Sequence, residues 1–176
     1  MAGLWPAKPS SDRLPGMTGR THSYHLTIRW TGNRGTGTSS YSAYSRDHVI
    51  DASGKTPIEG SSDPAFRGDP ARWNPEELLL AALSACHKLW YLHLAAEAGI
   101  RVSAYEDRAE ASMVENPDGS GHFTAAVLRP RVTVRPQDDL ALAARLHHEA
   151  HRFCFIAASV NFPVTCEPQF DTAPAS

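Results

Sequence analysis

NPEELLLAALSACHKLWYLHLAAEAG, residues 74–99, reads as one long helix, and the rest of the chain is arranged around it. Asn74 suits the N-cap and Pro75 the first helical position, while Glu76 and Glu77 put negative charge in the first turn, where unpaired N–H groups and the helix dipole favour it. Gly99 supplies the residue at which such a helix ends. Between these ends Leu78, Leu79, Leu80, Leu83, Leu89, Trp90, Leu92 and Leu94 leave almost no polar face, so the helix is expected to be central and wrapped in other structure. At about 1.5 Å per residue it would run about 36 Å. Cys86 sits near its middle.

The remainder of the chain is read outward from that helix. Residues 1–20 hold prolines and glycines without periodicity and are expected to be a flexible extension. His22–Trp30 alternates, with Tyr24, Leu26, Ile28 and Trp30 on one face, which predicts a half-buried strand. The Gly32–Gly37 turn, GNRGTG, then carries Arg34 at a hairpin end, and Ser39–Ser45 is expected to return as the second strand. The turn lacks the GxxxxGK[ST] phosphate-loop pattern and opens no helix. Val49–Trp73 reads as a connecting loop. After the helix, Val102–Val114 and Phe123–Val134 form a second hairpin around Asn116-Pro117-Asp118-Gly119, with Pro130 marking an edge or bulge. Asp138 and Asp139 start a second helix through Cys154 towards Ala158, and Pro163–Phe170 is a last strand. The order is ββ-α-ββ-α-β, an α+β domain over residues 21–171 with antiparallel sheets around the long helix and a flexible tail at 172–176.

Composition narrows the function. The 176 residues are 41% hydrophobic and 20% charged, with a net charge of −2, which is globular and gives no electrostatic case for nucleic acid or an anionic membrane. No apolar leader precedes residue 20, and His87, Lys88 and His93 interrupt the central helix, so a soluble cytoplasmic chain is expected. Three cysteines, Cys86, Cys154 and Cys166, make no disulfide framework. In a reducing compartment such thiols point to catalysis or metal binding.

The run NPEELLLAALSACH, the W-x-G-x-R-G-x-G-T segment at the end of the first strand, and the late cysteine in CFIAASVNFPV together resemble the OsmC/Ohr-like family, named for osmotically inducible protein C and the organic hydroperoxide resistance proteins. The resemblance covers roughly Ser23–Phe170 and implies a thiol peroxidase for organic hydroperoxides. It also implies an intertwined homodimer with sites at its interface and recycling by a dithiol reductant such as a lipoylated protein; no cofactor or metal is called for. It assigns Cys86 as the peroxidatic cysteine, Cys154 as the resolving one, Glu76 as the active-site carboxylate and Arg34 as the active-site arginine. In that scheme Arg34 favours a thiolate at Cys86 and hydrogen-bonds the peroxide, and Glu76 holds the guanidinium. Arg46 competes with Arg34 for the arginine role. Phe155-Ile156-Ala157 follows Cys154 where many members carry Cys-Pro-Val, so this chain resembles a less characterised branch. Cys166 matches no family cysteine and reads as structural.

Two other readings stand beside the peroxidase. His147, His151 and Cys154 fall at i, i+4 and i+7, one helical face that could ligate zinc. A non-catalytic binder of a small hydrophobic ligand would use the same apolar surfaces.

Overall fold

The structure is a computed structural model; it describes residues 19–174, so nearly all of the expected N-terminal extension and the end of the tail lie outside the described residues. The described chain forms two compact units, 19–79 and 80–174.

In the N-terminal unit β1 (Thr27–Trp30), β2 (His48–Asp51) and β3 (Ile58–Gly60) make an antiparallel sheet in the order β1-β2-β3. Ile28 pairs with Ile50, and Ile50 in turn with Ile58. The first strand is shorter than its alternation predicts, and its apolar face is uncovered: Tyr24 is 88% exposed, and Leu26, Ile28 and Trp30 are exposed too. Alternation marks a face able to be buried, and nothing within residues 19–79 covers this one.

The expected return strand at Ser39–Ser45 is a run of turns instead, and β2 takes its place. Arg46 explains the difference. Its Nη1 donates to the carbonyls of Tyr41 (2.9 Å) and Tyr44 (3.0 Å), and its guanidinium lies 4.1 and 4.4 Å from their ring centroids. Carbonyls committed to a side chain are not offered to a strand ladder. The stretch expected as loop, Val49–Trp73, holds the rest of β2, all of β3 and a 3-10 turn at Pro64–Phe66. Ser61 N–H donates to the Trp73 carbonyl and Trp73 N–H to that of Glu59, which ties the chain to β3 just before the helix begins.

The helix α1 spans Pro75–Glu97 without interruption. Glu77 N–H donates to Asn74 Oδ1 (2.8 Å) and Asn74 N–H to Glu77 Oε2 (3.2 Å), so two of the start's unpaired donors are satisfied reciprocally. At the other end Gly99 takes φ +76°, and Ile100 N–H donates to the Ala95 carbonyl (2.9 Å). Asn74→Ala removes the acceptor of that cap and is expected to cost about 1 kcal/mol. A lower urea midpoint at unchanged slope is the expected reading; an unchanged midpoint would count against the cap.

α1 is less enclosed than its composition predicts. It buries one stripe, Leu83, His87, Tyr91 and Ala95, at every fourth position, while Leu89 is 62% exposed. By length and hydropathy it could cross a membrane, yet its buried stripe includes an imidazole and joins the core of the C-terminal unit, as a core helix does.

In that unit each expected long strand is two. β4 (Val102–Asp107) and β5 (Glu110–Glu115) are followed by β6 (Gly121–Leu128) and β7 (Pro130–Val134), then α2 (Leu140–Phe153), β8 (Val164–Cys166) and β9 (Gln169–Thr172). The sheets run β4-β7-β9 and β5-β6-β8. Asp107 fixes the breaks: Oδ1 accepts from Arg129 N–H (2.7 Å) and Oδ2 from Ser84 Oγ (2.6 Å) on α1. Pro130, which has no N–H to offer a ladder, stands directly after the second break. The last strands pair parallel, β8 on β6 and β9 on β7, so the sheets are mixed and not wholly antiparallel.

Two buried clusters result. Tyr91, Ala95, Ile100, Val132, Val134, Ala143, Leu146 and Ala150 make one, and Leu83, Ala126, Leu128 and Val164 the other. α2 starts at Asp139, whose Oδ1 accepts from Leu142 N–H (3.0 Å), and it stops at Phe153 instead of continuing towards Ala158. Cys154 caps it in extended conformation, ψ 108°, before a 3-10 turn at Ala157–Ser159. The architecture is the α+β fold with two helices that the sequence predicts.

Candidate active site

Cys86 projects from the middle of α1 and is half-buried; Cys154 closes α2 and is 1% exposed. Although 68 positions separate them, the two thiols are near enough for Cys86 to act on Cys154, and neither is in a disulfide. Burial pushes the Cys154 thiol up to about 12, with the Cys86 sulfur raising it further, against the N–H groups of Ala157 (3.4 Å to Sγ) and Ile156, which favour the thiolate. Cys154 is therefore a neutral thiol at physiological pH. The helix end that places it follows from its own sequence: the amphipathic repeat of α2 runs out at Phe153, and residue 154 is extended.

The other two expected site residues belong to the N-terminal unit. Arg34 is exposed in the turn after β1, where Asn33 Oδ1 accepts from the N–H groups of Gly35 (2.9 Å) and Gly37 (3.0 Å) and so sets the loop's shape. Glu76 lies in the first turn of α1, and its Oε2 is buried without a partner among the described residues. Arg46, the competitor, is held by Tyr41 and Tyr44 as described above. Of the two, Arg34 is the more exposed.

A second cluster was not foreseen. His87 on α1, His147 on α2 and Cys166 on β8 converge inside the C-terminal unit. His87 Nε2 and His147 Nδ1 are 2.9 Å apart, and Cys166 Sγ lies 3.6 Å from the first and 3.7 Å from the second. Burial, with a smaller contribution from His151, pulls His87 down to about 4; burial, then His87 and His148, pulls His147 down to about 3. Burial, with the charges of Asp107 and Glu167, pushes Cys166 up to about 12. His147 also stacks on Tyr91, ring centroids 3.9 Å apart. The structure thus corrects one expectation. Cys166, in β8 as expected of a strand residue, stands beside His87 and His147, and the ligand-type cluster around His147 is formed with these two and not with His151 and Cys154. The i, i+4, i+7 face fails because position 154 is no longer helical. A signal for the true grouping existed, since His87 falls on the Leu83, Tyr91, Ala95 stripe that faces the core, but the sequence did not show which strand would meet it.

The fold and its paired thiols define a class, α+β proteins in which a cysteine on a long helix meets a second at the end of another. The family model described as OsmC-like protein matches residues 68–169. An OsmC-like protein of unknown function from Vibrio cholerae O1 biovar eltor is 32% identical, with a TM-score of 0.75 over 84% of this chain and 99% of that one. The organic hydroperoxide resistance protein OhrB of Bacillus subtilis is 20% identical, with a TM-score of 0.57 over 85% of this chain and 98% of that one, a likeness of fold. The uncharacterized protein YmaD of Bacillus subtilis is 25% identical over 142 residues, 79% of this chain and 87% of its own length. The chain belongs to the OsmC-like family.

Proposed function

We propose that this protein is a cysteine-based peroxidase that reduces organic hydroperoxides to alcohols in the cytoplasm, working as a homodimer and recycled by a dithiol of the lipoyl type. The observation that supports it best is the contact between a half-buried Cys86 and a buried Cys154 that arrive from different helices. The Cys86 thiolate attacks the distal peroxide oxygen; the O–O bond breaks, the alkoxide takes a proton and leaves as alcohol, and Cys86 becomes a sulfenic acid. Cys154 sulfur then attacks the Cys86 sulfur. The thiol proton leaves with the displaced hydroxyl as water, and a disulfide remains. Keeping Cys154 protonated until that step suits a resolving thiol, because it does not compete for the peroxide. Two thiols of a dithiol reductant return both cysteines by exchange.

In this reading Arg34 favours the thiolate and orients the peroxide, and Glu76 holds its guanidinium. Loss of two thiols per chain after one equivalent of cumene hydroperoxide is the expected titration. No thiol loss would make the chain a binder and overturn the proposal.

A further inference from the structure

The His87, His147 and Cys166 cluster has no part in that chemistry: two buried imidazoles, their planes 6° apart and centroids 5.2 Å apart, face each other beside a half-buried thiol. A single N–H···N bond between the two imidazoles consumes the donor of one facing nitrogen and the lone pair of the other. The Cys166 thiol, near both, is left without a nitrogen lone pair of its own. Three ligand-type atoms from three separate elements therefore surround one point, and of the three only the thiol is left without a nitrogen acceptor.

A cation at that point would satisfy all three. Tetrahedral zinc with bonds of about 2.05 Å to nitrogen and about 2.3 Å to sulfur sets its ligands about 3.3 Å apart for two nitrogens and about 3.6 Å for nitrogen and sulfur. The cluster has 2.9, 3.6 and 3.7 Å, so the imidazoles must separate slightly and turn until their lone pairs, now aimed at each other, meet on the cation. We propose that His87 Nε2, His147 Nδ1 and Cys166 Sγ form a binding site for a divalent zinc-like cation. The donor set, two imidazoles and one thiolate, favours zinc and its borderline-soft neighbours over calcium or magnesium. Among the described residues no fourth ligand joins the cluster, which leaves a coordination position open.

On binding, both imidazoles contribute lone pairs as neutral rings, and the Cys166 S–H proton goes to solvent as the metal–sulfur bond forms. Nothing is oxidised or reduced. The resulting site carries one net positive charge, and the Asp107 carboxylate, close enough to act on Cys166, partly offsets it. With their lone pairs turned inward, the outward nitrogens His87 Nδ1 and His147 Nε2 become N–H donors that no described residue receives. Metal-ligating imidazoles usually have such a partner, so this site is expected to exchange its metal and to be stripped by chelators without unfolding.

The test uses the reduced, chelator-treated full chain titrated with Co²⁺, whose thiolate complexes show a charge-transfer band in the near ultraviolet. One cobalt per chain is expected, displaced by Zn²⁺ with loss of the band. Cys166→Ser should abolish the band, and His147→Gln should weaken binding at least about tenfold. The double variant Cys86→Ser, Cys154→Ser should keep it, since neither thiol belongs to the cluster. A wild-type chain without the band, a band that survives Cys166→Ser, or one lost in the double variant would each overturn the proposal. Where Cys166→Ser fails to fold by circular dichroism, the wild type decides: Zn²⁺ must protect Cys166 from alkylation in peptide maps, and no protection refutes the site.

Discussion

Cys86→Ser is expected to reduce peroxide turnover to the uncatalysed background, while Cys154→Ser consumes one equivalent of organic hydroperoxide and then stops. The asymmetry follows from the positions of the two sulfurs. In the proposed reaction the half-buried Cys86 is the sulfur that takes the substrate, while Cys154 is buried, protonated and next to Cys86. Removing the attacking sulfur removes the reaction, whereas removing the resolving one leaves a sulfenic acid at Cys86 with no thiol to condense with. Mass spectrometry of Cys154→Ser should therefore show one added oxygen at Cys86, rising to two or three with excess peroxide. Turnover by Cys86→Ser with dihydrolipoamide, or repeated turnover by Cys154→Ser in the absence of external thiol, would refute the assignment. Cys166→Ser serves as the comparison. It lies outside the reacting pair and should retain turnover if its fold is intact.

The two helices were legible because their signals are local, whereas the cysteine pair, 68 positions apart, was reached only through the family resemblance. Asn74, Pro75 and Gly99 bound α1 through cap chemistry that acts within one turn, and the structure shows those hydrogen bonds. The strands were less legible where long-range contacts decide. Val102–Val114 shows no sequence cue for a break, yet Asp107 is drawn off by Ser84 and Arg129, residues 23 and 22 positions away, and the strand divides there. At Ser39–Ser45 the aromatic residues that promise a strand are instead used by Arg46 as ring faces. The His87, His147 and Cys166 cluster is the extreme case. Its members lie 60 and 19 positions apart and meet only when α1, α2 and β8 pack, so no spacing rule finds it.

Co-expressing a Cys86→Ser chain with an Arg34→Ala, Glu76→Ala chain is expected to restore about a quarter of wild-type peroxidase activity, although each parent alone is inactive. The argument starts from α1, which is unbroken from Pro75 to Glu97. Ten positions of helix put Glu76 about 15 Å from Cys86 along the axis and about 80° around it. A glutamate side chain cannot cross that distance. If Glu76 and Arg34 serve the cysteine chemistry as the family resemblance implies, they do so for the Cys86 of a second chain. The exposed residues agree with a partner: Tyr24 and Leu26 just before β1, Ile28 and Trp30 on it, and Leu89 on α1 present apolar surface to solvent. Random pairing makes half of the dimers mixed, and each mixed dimer unites an intact Cys86 and Cys154 from one chain with an intact Arg34 and Glu76 from the other at one of its two sites, which gives the quarter. Sites built within one chain would give no recovery, because every chain then lacks either its thiol or its arginine. A monomer by sedimentation, or mixed samples no more active than their parents, would end the two-chain arrangement while leaving the Cys86 and Cys154 chemistry to be judged by its own variants.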